Sequence, residues 1–294
     1  MSFTGSRGAA SFHAVRPSTL GVIGLGAIGG SVARRAKQAG IATVLGWSPD
    51  AAERDAARAQ GALDEAPDRA VDIARRVDLL VLAAPPAANL QILEDLHADL
   101  PPGALVTDVG SVKRAIVARA EALGLGARFA GSHPLAGTHE QGFHASRADL
   151  LRAAVVYVTP SRGGERVARE IADWWEGVHG AQPVMMTAEA HDALVAVTSH
   201  LPQILASLLG GYLAVHLPEG ASLGPGAKGT TRLAASDPAL WTEILLMNRD
   251  KVLPALRRLE EPLGELERAL ETGDATALRG WLGRAAEWRR RLDP

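Results

Sequence analysis

Short apolar runs alternate with longer stretches of helical character along the first two thirds of the chain, and near residue 187 the short runs stop. Runs at 20–23, 43–47, 78–84, 104–108, 153–158 and 183–186 predict strands, with a shorter run at Phe129 and Ala130. Leu79, Leu80, Val81 and Leu82 are apolar without alternation, as a parallel strand covered on both faces must be. Strands separated by helices, such as those predicted at 27–39 and 51–60, imply a doubly wound parallel α/β sheet of Rossmann-like type.

Beyond residue 187 the pattern turns helical. A long helix is expected over 188–215, with Leu194, Val197, Leu201, Leu205, Leu208 and Tyr212 at helical spacing. Pro202 falls inside it and should remove one backbone bond and kink it. A Gly/Pro-rich loop at 220–229 precedes a helix over 238–249. A leucine stripe from Leu253 to Leu270 follows, interrupted by Pro254 and Pro262, and Asp274 reads as the N-cap of a last helix ending near Arg290. The stripe is either a core face or a surface for a second copy. The expected organisation is a mobile tail over 1–17, a dinucleotide-binding domain over 18–187 and an all-helical domain over 188–294.

At the end of the first strand, Gly24-Leu25-Gly26-Ala27-Ile28-Gly29 forms a Gly-x-Gly-x-x-Gly turn that opens the Ala-rich helix. Gly24 permits a tight turn, Gly26 lets the backbone approach a pyrophosphate, and Gly29 lets helix and strand pack closely. The free N–H groups of the helix start face the anion. This pattern predicts a nicotinamide dinucleotide cofactor, with Ala84 and Pro85 at the end of the third strand also near it. The end of the second strand, Trp47-Ser48-Pro49-Asp50, lacks an acid at Ser48. Asp50, together with the absence of an arginine before Arg54, favours NAD, with NADP the alternative.

Composition narrows the classes. Charge is nearly balanced, at −2, so neither nucleic acid nor an anionic membrane is an expected partner. The absence of cysteine excludes disulfides, thiolate metal sites and a cysteine nucleophile. The first residues lack the apolar run of a signal peptide, and no run of about 18 uninterrupted apolar residues occurs. A cytoplasmic enzyme is expected.

Two segments at strand ends carry chemistry: Thr107-Asp108-Val109-Gly110-Ser111-Val112-Lys113 and Gly131-Ser132-His133-Pro134-Leu135-Ala136-Gly137-Thr138. His133 is suited to take a proton from an alcohol as hydride leaves, because imidazole titrates near neutrality. Ser111 can orient the same hydroxyl or cap the helix after it. His191 and Asp192 read as first-turn polar residues of the long helix, nine residues before His200. No i, i+4 histidine pair suggests a metal. Trp174 and Trp175 read as core, His139 and His144 as loop residues, and Lys113 and Lys228 as solvated charges. Arg232, amid small residues, suits a carboxylate.

In combination, the glycine turn, Asp108-Val109-Gly110-Ser111-Val112-Lys113, His133-Pro134-Leu135-Ala136-Gly137, Ser199-His200-Leu201-Pro202 and Thr231-Arg232-Leu233-Ala234 make the chain resemble the prephenate/arogenate dehydrogenase family of tyrosine biosynthesis. The resemblance implies hydride transfer from C4 of a cyclohexadienol to NAD(P), with loss of CO2. It implies that His133 polarises the C4 hydroxyl and Ser111 orients it. Arg232 would hold a substrate carboxylate, His200 would lie near the substrate side chain, and Trp241 would line the ring pocket. The helical half would form a homodimer interface. Thr138 and the loop it opens, including Glu140, would decide between prephenate and arogenate. With the helical half running to Pro294, no appended regulatory or mutase domain is expected. Competing readings are a hydroxyacid dehydrogenase or imine reductase of the same build, and a non-catalytic dinucleotide sensor.

Overall fold

The computed structural model describes residues 16–136 and 142–292, so Gly137, Thr138, His139, Glu140 and the N-terminal tail through residue 15 lie outside the described residues. Among the described residues there are seven strands: β1 (Thr19–Ile23), β2 (Thr43–Trp47), β3 (Leu79–Leu82), β4 (Leu105–Asp108), β5 (Phe129–Pro134), β6 (Val155–Pro160) and β7 (Gln182–Met185). The α-helices are α1 (Ala27–Gln38), α2 (Ala51–Ala59), α3 (Ala70–Ala74), α4 (Pro86–Leu96), α5 (Arg114–Ala122), α6 (Glu165–His179), α7 (Ala188–Val195), α8 (Leu201–His216), α9 (Pro225–Thr230), α10 (Pro238–Met247), α11 (Arg249–Arg257), α12 (Glu260–Glu271) and α13 (Ala275–Arg290). The chain forms two compact units. One runs to Leu194 and takes in Ser236–Met247; the other comprises Val195–Ala235 and the segment from Asn248 onward. The first unit thus includes α7, and α10 groups with the sheet rather than with the other helices.

In the first unit the strands lie in the order β2-β1-β3-β4-β5-β6-β7. All neighbours are parallel except β5 and β6, which run antiparallel. The exception has a simple cause. A parallel return needs a crossover element, and the described residues between β5 and β6 form only the short 3₁₀ turn Phe143–Ala145. Pairing with β6 carries β5 through to Pro134, with His133 opposite Tyr157 and Pro134 opposite Val156. His133 therefore sits within a strand, not in a loop after Ala130 as the sequence suggests.

Successive strand residues point to opposite faces, which divides the core in two. Leu20, Val22, Leu79 and Val81 pack with α1 and with Trp174 and Trp175 of α6, both fully buried. Ile23, Leu80, Leu82 and Val106 pack with Leu93 of α4, Ile116 of α5 and Phe129.

In the second unit a π-turn at Ala196–His200 directly precedes α8. Ala188–His216 is one continuous helix, and Pro202 lies inside it directly after that π-turn, so the local irregularity sits where the missing N–H would otherwise break the ladder. The loop expected at 220–229 contains α9, opened by Pro225, and the helix expected over 238–249 ends at Met247. Asp274 caps α13, its carboxylate accepting from the amides of Thr276 and Ala277, each at 2.9 Å. By length and composition alone, Ala188–His216 is apolar enough to cross a membrane, with a mean hydropathy of 1.5 in its most apolar window. Core helices that bury an apolar surface pass the same test, and this stretch contains the buried polar residues His191, Asp192 and His200.

His179 ends α6 against both tryptophans, its ring 4.7 Å from Trp174 and 4.9 Å from Trp175. Neither of its nitrogens has a hydrogen-bond partner among the described residues. Burial, with the Arg35 charge adding to it, lowers its pKa to about 3. A histidine neutral in the fold but protonated when unfolded stabilises fully above the unfolded value of about 6.5, and loses that contribution as pH falls towards 3. Denaturant unfolding followed from pH 7 to 5 should show wild-type stability dropping more steeply than that of His179→Phe, by about 1.4 kcal/mol per pH unit below 6. Parallel curves would remove His179 as a cause of acid sensitivity.

Candidate functional site

The carboxyl ends of β1 to β4 form one side of the first unit, the place where open α/β sheets bind ligands. The glycine turn lies there. Gly24 has a φ of +99°, and a Cβ on it would lie 2.6 Å from the backbone of Ala83. A Cβ on Gly29 would come within 1.9 Å of the Gly24 carbonyl oxygen, whereas one on Gly26 meets nothing within 4 Å. Two glycines thus serve packing, and the third leaves the approach to the α1 N-terminus open. A cavity of about 510 Å³ adjoins the turn, lined by Gly24, Leu25, Gly26, Trp47, Ser48, Glu53, Ala84 and Pro85 among others. Ala27 and Ile28 form the first turn of α1. These features fit a dinucleotide: a positive helix end for the pyrophosphate and an acid at the far side for a ribose.

Asp50 does not line this cavity. The Asp50 carboxylate caps α2, accepting from the amide of Ala52 at 2.8 Å. The cavity is lined instead by Glu53, one turn further on, whose Oε2 accepts from the Ser48 hydroxyl at 2.6 Å. A short Asx cap at the start of a helix turns the side chain back onto its own backbone.

Around His133 the structure assembles a buried polar chain. Its Nδ1 lies 2.8 Å from Nε2 of His191, and Nδ1 of His191 lies 2.8 Å from Oδ1 of Asp192. Asp192 also accepts from the amides of Lys113 (2.8 Å) and Arg114 (3.1 Å) and from Nε of Arg114 (3.1 Å). Burial alone would raise the Asp192 pKa, but the hydrogen bonds from His191 and the two amides outweigh it and hold the group ionised below its ordinary range. His191 is held neutral. Burial lowers its pKa, and the Lys113 ammonium opposes the hydrogen bond to Asp192. His191 and Asp192, read from sequence as first-turn polar residues, are 0% and 1% exposed.

Lys113 is also fully buried, not solvated. It pairs with Asp108, whose Oδ1 and Oδ2 take the amides of Ser132 (3.2 Å) and Gly110 (2.9 Å). Burial lowers the lysine's pKa although Asp108 pulls it upward. Helix α5 starts at Arg114, and the carboxylate that caps it is Asp192. Ser111 is therefore not a cap; it lies half-buried in the loop between β4 and α5. Trp241 is half-buried on α10, which meets the start of α4 through a bond from the Ala87 amide to Glu243 at 3.2 Å. In the second unit, Nδ1 of the fully buried His200 lies 3.2 Å from Nδ2 of Asn248. Arg232 opens a 3₁₀ turn tied to α8 by a bond from Gln203 to the Leu233 carbonyl at 2.8 Å. Among the described residues no cluster of three or more His, Asp or Glu side chains could hold a metal ion.

Residues 32–184 match the family model described as the prephenate dehydrogenase nucleotide-binding domain, and residues 187–284 match its dimerization domain. The chain belongs to the prephenate dehydrogenase family. This places the family member among the NAD(P)-dependent dehydrogenases. It is 33% identical over 268 residues to the cyclohexadienyl dehydrogenase of Zymomonas mobilis, covering 88% of this chain and 90% of that one. A crystal structure of prephenate dehydrogenase from A. aeolicus, in complex with hydroxyphenyl propionate and NAD+, is similar with a TM-score of 0.86 and 29% identity, covering 94% of this chain and 98% of that one. The arogenate dehydrogenase of Synechocystis follows with a TM-score of 0.79 and 28% identity, covering 93% and 99%.

The first family match begins at residue 32, after the glycine turn. Gly26→Ala should fold with unchanged thermal stability, since its Cβ meets nothing, yet bind dinucleotide at least about tenfold more weakly in calorimetric titration. Gly29→Ala should lose stability. Undiminished dinucleotide affinity in Gly26→Ala would put the pyrophosphate elsewhere.

Proposed function

We propose that this chain oxidises and decarboxylates prephenate or arogenate, with His133 as the base that takes the C4 hydroxyl proton. The observation that carries this reading is the position of His133 in β5, next to β4 and the carboxyl ends of the strands where the glycine turn lies. The bound nicotinamide supplies a hydride acceptor for C4. Ser111, in the adjoining β4–α5 loop, orients the hydroxyl. Loss of the ring carboxylate as CO2 then aromatises the product, giving 4-hydroxyphenylpyruvate from prephenate or tyrosine from arogenate. Arg232 holds a carboxylate through paired charge-assisted bonds. His200 stands near the substrate side chain, Trp241 lines the ring pocket, and Thr138 belongs to the loop that senses keto against amino group.

A homodimer built through the helical unit belongs to the same reading. Residues 187–284 match a dimerization domain, and α8 exposes Leu205, Leu208, Tyr212 and Val215, each between 43% and 78% accessible, at three- and four-residue steps. A cytoplasmic setting accords with a sequence that contains no cysteine.

Reduced cofactor, followed by its absorbance with prephenate and with arogenate, each with NAD and NADP, tests the activity. His133→Asn should lower kcat by about 10²- to 10⁴-fold while substrate still binds. No turnover in any of the four combinations would remove the reading, and equal loss of binding and rate would make His133 structural.

NAD is the cofactor this cavity favours. Glu53 can accept from ribose hydroxyls and repels a 2′-phosphate, while the Arg54 guanidinium is held by the Ser48 carbonyl (2.7 Å) and Asp68 (3.3 Å). Glu53→Gln should raise NADP affinity relative to NAD by about tenfold or more, read by calorimetry. An unchanged ratio would place the ribose away from Glu53.

A further inference from the structure

We infer that His191 and Asp192 are positioning residues that set the tautomer and ring plane of His133, so that Nε2 is the nitrogen presented to the substrate hydroxyl. The inference rests on the proposed role of His133 and adds two residues to that site. Its logic follows donors and acceptors along the chain. An ionised carboxylate only accepts, so at Oδ1 of Asp192 the nitrogen Nδ1 of His191 must carry the proton. A neutral imidazole carries one proton, which leaves Nε2 of His191 as an acceptor. Nδ1 of His133, 2.8 Å away, must then be the donor, and the lone pair of His133 falls on Nε2.

Each link is held from outside. Asp192 cannot rotate without abandoning the amides at the start of α5, and His191 is wholly enclosed. The three rings of His133, Tyr157 and His191 meet edge to face, at 5.0 Å between the histidines, 6.4 Å from His133 to Tyr157 and 5.6 Å from Tyr157 to His191. When His133 takes a proton, its Nδ1–H continues to donate to His191, and the negative charge of Asp192 lies one imidazole further on. A carboxylate held behind a catalytic histidine performs the same service in hydrolase triads, where it orients the ring and stabilises the imidazolium. Here a second imidazole carries that influence across the gap between α7 and β5.

The charged and titratable groups around His191 are Asp192 on its own helix, Asp108 and Lys113 from β4 and the loop after it, Arg114 from α5, His133 from β5 and Tyr157 from β6. Of these, His133 and Asp192 bond the His191 ring.

Two substitutions separate positioning from packing. His191→Phe keeps the ring but removes the acceptor; His191→Gln retains an acceptor near the Nε2 position at some cost in fit. A positioning role predicts that kcat falls tenfold or more in the phenylalanine variant, with KM little changed and the acidic limb of the pH–rate profile moved to lower pH. The glutamine variant should recover part of that rate. A packing role predicts the reverse order, phenylalanine being the better filler.

Independently of turnover, nitrogen-15 spectra of the histidine rings, with His133 assigned through His133→Asn, should show wild-type His133 protonated at Nδ1 and bare at Nε2. In His191→Phe the two tautomers should mix. Should that variant fail to fold, the wild-type tautomer and the glutamine variant still decide. An Nε2-protonated His133 in the wild type, or phenylalanine matching or exceeding glutamine, would overturn the assignment. A chain with the expected tautomer that turns over neither substrate would overturn the proposed reaction and leave the relay standing.

Discussion

The Asp192 carboxylate joins three parts of the first unit that are distant in sequence. It caps α5, anchors α7 to the loop after β4, and fixes the imidazole that meets His133. A buried carboxylate is costly to desolvate, and a lone one would take up a proton instead. Here the donors that keep it charged are the backbone amides of a helix start, which carry partial positive charge and otherwise have no intrahelical partner. One group therefore solves two problems: α5 gains its cap, and the carboxylate gains donors that do not titrate. Deleting it would uncover both.

A second buried charge stiffens the same loop. Lys113 turns back onto Asp108 at the end of β4, and Asp108 reaches across to the Ser132 amide on β5. The segment 109–113 is thus pinned at one end by Asp108 and at the other by Asp192. Ser111 stands between the two. Breaking one member of such a pair leaves a buried charge without compensation, which commonly costs about 3–5 kcal/mol. The hydroxyl oriented by Ser111 in the proposed reaction would therefore be met by a fixed loop, as a site that must hold reacting atoms to within a fraction of an ångström requires.

The parts of this arrangement that local chemistry dictates could be read from the sequence. The glycine turn is legible because Gly24 must take a positive φ and Gly29 has no room for a Cβ. Asp274 is legible because a cap acts on amides two and three residues ahead. His191 and Asp192 were not legible as site residues, since their partners lie 58 and 79 positions away and the local pattern is that of an ordinary first turn. Lys113 misled for a related reason: only the closure of the loop onto Asp108 makes burial of its ammonium tolerable. Pro134 is the last residue of β5. Beyond Ala130, β5 has β6 as its neighbour without the β4 ladder, so a missing donor costs little there. Asp50 drew attention by standing where an acid is expected, yet the start of α2 claims its carboxylate, and Glu53 faces the cavity instead.

That extension of β5 is what lets a histidine serve at this place. A residue in a loop after Ala130 would have its ring direction set by a few local torsions. Within a strand in register with β6, its backbone is fixed by five successive cross-strand pairings, and its ring is met by Tyr157 across the ladder and by His191 from α7. The remaining freedom is rotation about χ1 and χ2, which the bond to His191 removes. The antiparallel pair, the one departure from an otherwise parallel sheet, thus coincides with the proposed base. Between β5 and β6 the described chain makes no helical crossover. The same irregularity that breaks the doubly wound pattern gives the proposed site a rigid mounting for its proton acceptor.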